Sequence, residues 1–253
     1  MFNFVLAHPV SHGLWGRRAA LLAAAAVLLV LTGCMYPNDR LSQNQGAPKE
    51  AVRNVQAAID EYKADTGVLP IKNSTSETPL YEKFILDFVS LQGKGYLGDI
   101  PSAAFEKGGN YYFLITDEET DPKVRLMDLR IYQQINDISS WVQAYSTANA
   151  GKLPKGDEVY PGFYYVDYNV LCKKAPTIVS SYSGLTMAAM LDEKGQIYAD
   201  YGPDLMQAIQ KDGETSFAAD FDLRRLLVER DVFVPVKSPV YIWVDGQPQA
   251  AAS

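Results

Sequence analysis

The chain has 253 residues, 47% of them hydrophobic and 21% charged, ordinary globular proportions that exclude wholesale disorder and a disulfide-stapled miniprotein. Its 23 basic side chains stand against 30 acidic ones, a net charge of −7, which argues against a nucleic-acid partner because phosphate binding draws on clustered Lys and Arg. Both histidines, His8 and His12, lie near the N-terminus.

The first element is an address. Arg17 and Arg18 precede an unbroken apolar run from Ala19 to Leu31, which as a helix spans roughly 20 Å at about 1.5 Å per residue. A bilayer core of about 30 Å needs more, so the run reads as the apolar region of a signal peptide and not as a mature span. It ends in Leu31-Thr32-Gly33-Cys34, which resembles the bacterial lipobox: an apolar residue, two small residues, then the cysteine that is acylated. The resemblance implies a signal peptide over residues 1–33, lipid attachment at Cys34, and a place on the extracytoplasmic face of the cell membrane. Residues 34–48, polar and turn-rich, read as a flexible tether. Removal of residues 1–33 takes both histidines with it and leaves Cys172 without a partner thiol, so Cys172 is expected to be a buried structural thiol.

Beyond the tether the chain reads as two related halves, residues 49–127 and 128–245. Pro48 is placed to open a helix, its missing N–H costing nothing in a first turn. Val52, Val55, Ile59 and Tyr62 form one apolar stripe, which Gly67 and Pro70 end. The same stripe recurs as Ile135, Ile138, Val142 and Tyr145, preceded by Ile131 and followed by Gly151 and Pro154. Gly67-Val68-Leu69-Pro70 then corresponds to Gly151-Lys152-Leu153-Pro154, and Tyr81, Phe84, Asp87, Phe88 and Leu91 to Tyr160, Phe163, Asp167, Tyr168 and Leu171. A hairpin is predicted in each half: Tyr111–Thr116 with Lys123–Met127, and Thr186–Leu191 with Gln196–Tyr201. A period of about 80 residues is domain-sized and implies no solenoid. Two short helices follow, at residues 204–210 and 220–230. Val232–Val236 and Val240–Val244 then read as a terminal strand pair, with Pro235 marking an edge. Residues 246–253 read as a disordered tail. The expected class is α+β, each half a long amphipathic helix packed on a small antiparallel sheet.

The stretch Val55 to Gly67 (VQAAIDEYKADTG), with Leu69-Pro70, the Gly95–Pro101 run and Tyr111-Tyr112-Phe113, is similar to the soluble domain of type II secretion pseudopilins over residues 50–127. That resemblance implies a pilin-like fold. It does not extend to pilus activity, since the lipobox replaces the pseudopilin N-terminal helix and the Asp-Pro-Trp-Gly element is missing.

Without histidine in the mature chain, His-based triads, His-metal centres and Cys-His nucleophiles fall away, and no Gly-rich phosphate loop or Gly-x-Ser-x-Gly occurs. The expectation is a non-enzymatic protein with no catalytic residue, cofactor or metal. The acidic run Asp117-Glu118-Glu119-Thr120-Asp121 lacks the spacing and glycine of an EF-hand loop and reads as a solvated turn. Tyr160–Tyr168 packs aromatics densely. On a strand, Phe163, Tyr165 and Asp167 share one face, and this is the candidate binding surface, since aromatic rings beside a carboxylate suit recognition. The predicted role is structural or accessory, through a protein partner at the cell envelope. The alternative is a lipid-tethered solute-binding protein of an ABC transporter.

Overall fold

The computed structural model of the protein describes residues 42–213 and 216–251. The chain divides into two units, residues 1–44 and 45–253, and the account below concerns the second. The expected signal peptide, Cys34 and most of the expected tether (residues 34–41 of 34–48) lie outside the described residues. Among the described residues no helix is long and apolar enough to cross a membrane.

The architecture is α+β, with several helices and small antiparallel sheets. Helix α1 (Ser42–Thr66) starts ahead of the expected position, so Pro48 falls inside it and not in its first turn. Its missing N–H costs one intrahelical bond, while the stripe beyond it buries as the spacing requires: Val52, Val55, Ile59 and Tyr62 are all core residues. Gly67, at φ 74°, ends the helix in the left-handed region. A short helix α2 (Phe88–Gly93) is capped by Asp87. The hairpin β1 (Tyr111–Thr116) and β2 (Lys123–Asp128) follows, antiparallel with Tyr111 opposite Asp128. Phe113, Ile115, Val124 and Leu126 face α1 in one core, while Leu114 and Met127 point the other way into a second. Both faces of this hairpin are therefore covered, and β1 reads as an apolar run, whereas β2 begins by alternating Lys123 and Arg125 with Val124 and Leu126.

Asp128 caps helix α3 (Leu129–Ala148) directly. Ile131, Ile135, Ile138 and Val142 are its buried stripe, set against a four-stranded antiparallel sheet in the order β3-β4-β7-β8. Its strands are β3 (Lys155–Tyr160), β4 (Phe163–Val166), β7 (Ala189–Asp192) and β8 (Ile197–Ala199). A small pair, β5 (Ile178–Val179) and β6 (Thr186–Met187), lies between. Helices α4 (Gly202–Asp212) and α5 (Arg224–Arg230) complete the helical part.

The C-terminal region departs from expectation. Residues 232–236 do not pair with residues 240–244. They run between the two sheets instead: the Leu126 N–H donates to the Val232 carbonyl at 2.7 Å, Val234 donates to Leu126 at 3.0 Å, and Ala199 donates to Lys237 at 2.8 Å. Strand β9 (Val240–Val244) pairs with β10 (Gln247–Ala251), inside the stretch expected to be a disordered tail. The turn between them is Asp245-Gly246, at φ 48° and 80°, the dipeptide that two-residue hairpins favour because both positions need positive φ. Ala250 and Pro248 bury against the core side, which holds the strand down.

Candidate functional site

The predicted surface of Phe163, Tyr165 and Asp167 does not assemble. Phe163 is 1% exposed, edge-on to Tyr198 at 5.8 Å between ring centroids, and belongs to the core. Tyr165 shares its strand face but stands opposite Met190 where the cover ends, and is 39% exposed. The Asp167 side chain turns back on its own loop, where Oδ1 accepts the amides of Asn169 at 2.9 Å and Val170 at 3.2 Å. Tyr165 alone remains as a surface aromatic. Cys172 also departs from expectation, being exposed. It sits at φ 52° in the turn after Asp167, where Leu171 takes the inward position and leaves the thiol outside.

The structure instead forms two adjoining recesses along β8. The first, of about 390 Å³, has Tyr81 and Glu82 on one wall, Arg224 and Lys237 on another, and Gln196 and Tyr198 at its end. A 3-10 turn, Leu80–Glu82, positions the first wall. The stretch that crosses from β2 to β8 delivers Lys237. Its backbone takes φ 56° there, which few non-glycine residues adopt. The Lys237 ammonium lies 3.5 Å from Glu82 Oε2 and 4.3 Å from the centre of the Tyr132 ring. That distance is an ion pair but too long for a good hydrogen bond, and Glu82 Oε1 is buried with no partner among the described residues. Arg224 is held firmly: Nε and Nη2 donate to both oxygens of Asp222 at 2.7 to 3.0 Å, and Nη1 donates to the Ser238 carbonyl. Its guanidinium lies 5.0 Å from the Tyr81 ring centre. Burial, with Asp222 adding, pushes the Tyr81 phenol up to about 12, so it stays a neutral donor at physiological pH.

The second recess, of about 570 Å³, lies between α3 and the β7–β8 turn, and Gln196 and Tyr198 line it as well. Ser139, Gln143 and Ser146 present hydroxyls and an amide from the helix, facing Asp192 and Lys194. Asp192 Oδ1 accepts the amides of Lys194 and Gln196 at 2.9 and 2.8 Å, so the turn is rigidly built.

A third polar cluster is largely buried. Asp200 Oδ1 accepts from the Tyr241 hydroxyl at 2.7 Å, the Tyr160 hydroxyl at 3.0 Å and the Gly202 amide at 2.9 Å. Burial and the Asp200 charge push the Tyr160 phenol upward, and Tyr241 likewise. With Asp200 Oδ1 accepting three donors and Tyr241 fully buried, this cluster holds the fold together. Among the described residues no group of three or more His, Cys, Asp or Glu side chains is placed to hold a metal ion.

Residues 82, 196, 224 and 237 carry no common motif, so the sequence could not have united them. The nearest signal was Pro235 inside an apolar run, which marked an irregular strand but not what it carries to the recess.

Residues 48–128 match the sequence profile of the YphF family N-terminal domain, a similarity that covers α1 through β2. No curated protein matches the chain, and no solved structure does.

Proposed function

We propose that the chain is a bacterial lipoprotein, held on the extracytoplasmic face of the cell membrane by acyl chains on Cys34. In this reading it works by binding a protein partner at the envelope, in a structural or accessory role, and turns over no substrate. The observation that carries the anchor is the order Arg17-Arg18, apolar run, Leu31-Thr32-Gly33-Cys34. What supports binding over turnover is the state of the charges in the two recesses: Arg224 is engaged by Asp222, and Asp192 is spent on backbone amides. Groups so committed hold shape and recognise, whereas catalysis needs one poised near the working pH. Tethering to a surface raises the effective concentration of a membrane neighbour, so a modest interface is enough.

The scaffold for this role is a tandem of two related, pilin-like halves, each a long helix on a small antiparallel sheet. The same carbonyl-to-amide bonds after both helices support that reading, as does a family match that ends at Asp128, where the second helix begins. A second function, a lipid-tethered solute-binding protein of a transporter, draws support from the 390 Å³ recess.

Two measurements test the proposal. Cys34→Ser should release the protein from membranes or leave an unprocessed precursor, and a mutant that matures and stays bound without acyl label would exclude the anchor. A photoreactive residue at Tyr165 should give a discrete protein adduct in membranes. No adduct, together with a saturable thermal shift by an amino acid or sugar, selects the transporter reading.

A further inference from the structure

The two recesses have Gln196 and Tyr198 in common, and they adjoin along one flank of β8 beside α3. From their lining we infer that together they form one trough that binds a neutral oligosaccharide. The inference uses neither the anchor nor Tyr165.

Three observations carry it. The first is the balance of donors and acceptors. A sugar hydroxyl donates and accepts at once, and the trough offers both along its length: Glu82 beside Lys237 at one end, the Gln196 amide in the middle, and Ser139, Gln143 and Ser146 at the other. The Glu82–Lys237 pair is loosely made at 3.5 Å, and Glu82 Oε1 has acceptor capacity that nothing among the described residues uses. A hydroxyl set between them would satisfy a buried acceptor that otherwise carries a cost.

The second is apolar surface of the right kind. Tyr198, Pro79 and Pro235 line the first recess, and Leu153 and Val142 the second. Rings and aliphatic patches beside polar groups suit the C–H faces of a pyranose, which is itself amphipathic.

The third is what the lining refuses. Arg224 is neutralised by Asp222 and Lys237 by Glu82, so no cationic surplus invites a polyphosphate. An extended peptide would seek an open strand edge. The outward-facing amide of Ala199 on β8 is already taken by the Lys237 carbonyl at 2.8 Å, and Ile197 is fully buried. Strand addition is therefore closed at this site.

Calorimetric titration of the purified full-length protein in detergent tests the inference. The probes are the tetramers of N-acetylglucosamine, glucose in β-1,4 linkage and glucose in α-1,4 linkage, their monosaccharides, and an uncharged tetrapeptide of Gly, Ala and Ser. At least one tetramer should bind saturably, and its monosaccharide at least tenfold more weakly, because only the longer ligand spans both recesses. Gln196→Ala and Lys237→Met should each weaken the tetramer about tenfold. Gln143→Ala, on the exposed helix wall, should weaken the tetramer, leave the monosaccharide unchanged and keep the wild-type melting profile. It guards against a failure of Gln196→Ala or Lys237→Met to fold, the latter because it leaves the buried Glu82 carboxylate without its cation. Binding of the peptide with no glycan, no binding of any glycan, or glycan binding that none of the three substitutions alters would overturn it.

Discussion

The segments that follow the two long helices, 67–91 and 151–171, make the same bonds and differ in how much strand they build. In the first, the Ile71 amide donates to Leu69 at 3.0 Å and the Asp87 amide to Pro70 at 2.8 Å. In the second, Lys155 donates to Leu153 at 2.9 Å and Asp167 to Pro154 at 2.9 Å. Each aspartate then accepts the amides two and three residues on, and each carbonyl receives an amide from a leucine four residues on, Leu91 and Leu171, at 3.2 Å. Yet the first segment pairs only through isolated bridges, Ile71 with Leu86 and Ile85 with Leu114, while the second makes strands β3 and β4. The intervening loop explains it. Residues 72–84 hold a polar stretch, Pro79 and Phe84 at φ 54°, whereas β3 and β4 meet at Pro161-Gly162 with Gly162 at φ 78°, a two-residue turn that reverses the chain at once and leaves bulges in the pairing behind it. The anchors set the path, and the turn decides whether a sheet grows on it.

The hairpins end alike as well. Asp128 and Asp200 are both buried, and each accepts an amide two residues on at 2.9 Å. Their other partners differ: Arg130 and Ser181 for Asp128, two tyrosine hydroxyls for Asp200. The sharpest break in the comparison should therefore come from Asp200→Ala. It strands the buried Tyr241 hydroxyl, the part-buried Tyr160 hydroxyl and the Gly202 amide, at about 1–3 kcal/mol for each buried donor left unpaired, and urea denaturation should show a loss of about 3 kcal/mol or more. Asp128→Ala should cost less, about 2 kcal/mol, because the side chain of Arg130 is 47% exposed and can turn to water. The reverse order would mean that the two positions are not equivalent. Next in size, Leu91→Ala opens a cavity at a fully buried site and should cost about 3 kcal/mol, while Leu171→Ala, at 9% exposure, should cost about 2 kcal/mol.

Much of this scaffold is legible in the sequence. The stripes on α1 and α3 bury as a 3.6-residue period requires, and Gly-x-Leu-Pro marks both helix ends. What escaped was set by contacts distant along the chain. Residues 232–237 have strand composition, but their partners are Leu126 and Ala199, so no local pattern predicts a clasp between sheets. The β10 strand was missed for a different reason, since Asp245-Gly246 is a strong local turn signal and the small polar residues after it hid the strand. Strand alternation likewise placed Phe163 and Tyr165 on one face, but cannot say where the cover on that face stops. The trough was illegible because Glu82, Gln196, Arg224 and Lys237 meet only in the folded chain.

Smaller effects should sharpen the equivalence. Asp87 and Asp167 each cap the turn that follows with the same two amide bonds. Asp87→Ala and Asp167→Ala should each cost about 1 kcal/mol, the usual worth of such a cap, and thermal melting should rank them together. A cost at one site and none at the other would sink the claim that the turns are equivalent. The Ser90 hydroxyl and backbone amides hold the Asp87 carboxyl below its ordinary value, so the stabilisation it gives is present at neutral pH and fades as acid protonates it.

The residues that follow the two hairpins also differ in charge. Four residues after Asp128 stands Tyr132, and four after Asp200 stands Asp204. Asp204 is buried, with Oδ1 lacking a partner among the described residues. Burial raises its carboxyl above the ordinary value, with Ser183 and Ser180 pulling the other way and Asp200 adding to the rise. The native state then holds this proton more tightly than the unfolded chain does. Stability from this group is therefore greatest in acid and falls as pH climbs from the ordinary aspartate value, about 3.9, through the raised one. Asp204→Asn keeps an acceptor and removes the charge, so it should gain on the wild type as pH rises, with the gap constant once both carboxyl states are fully ionised. Urea midpoints of the two proteins at several pH values measure that gap directly, free of the opposite slope from Asp87. A gap that does not change with pH, or that shrinks as pH rises, would mean that Asp204 finds in the folded protein a partner as good as water.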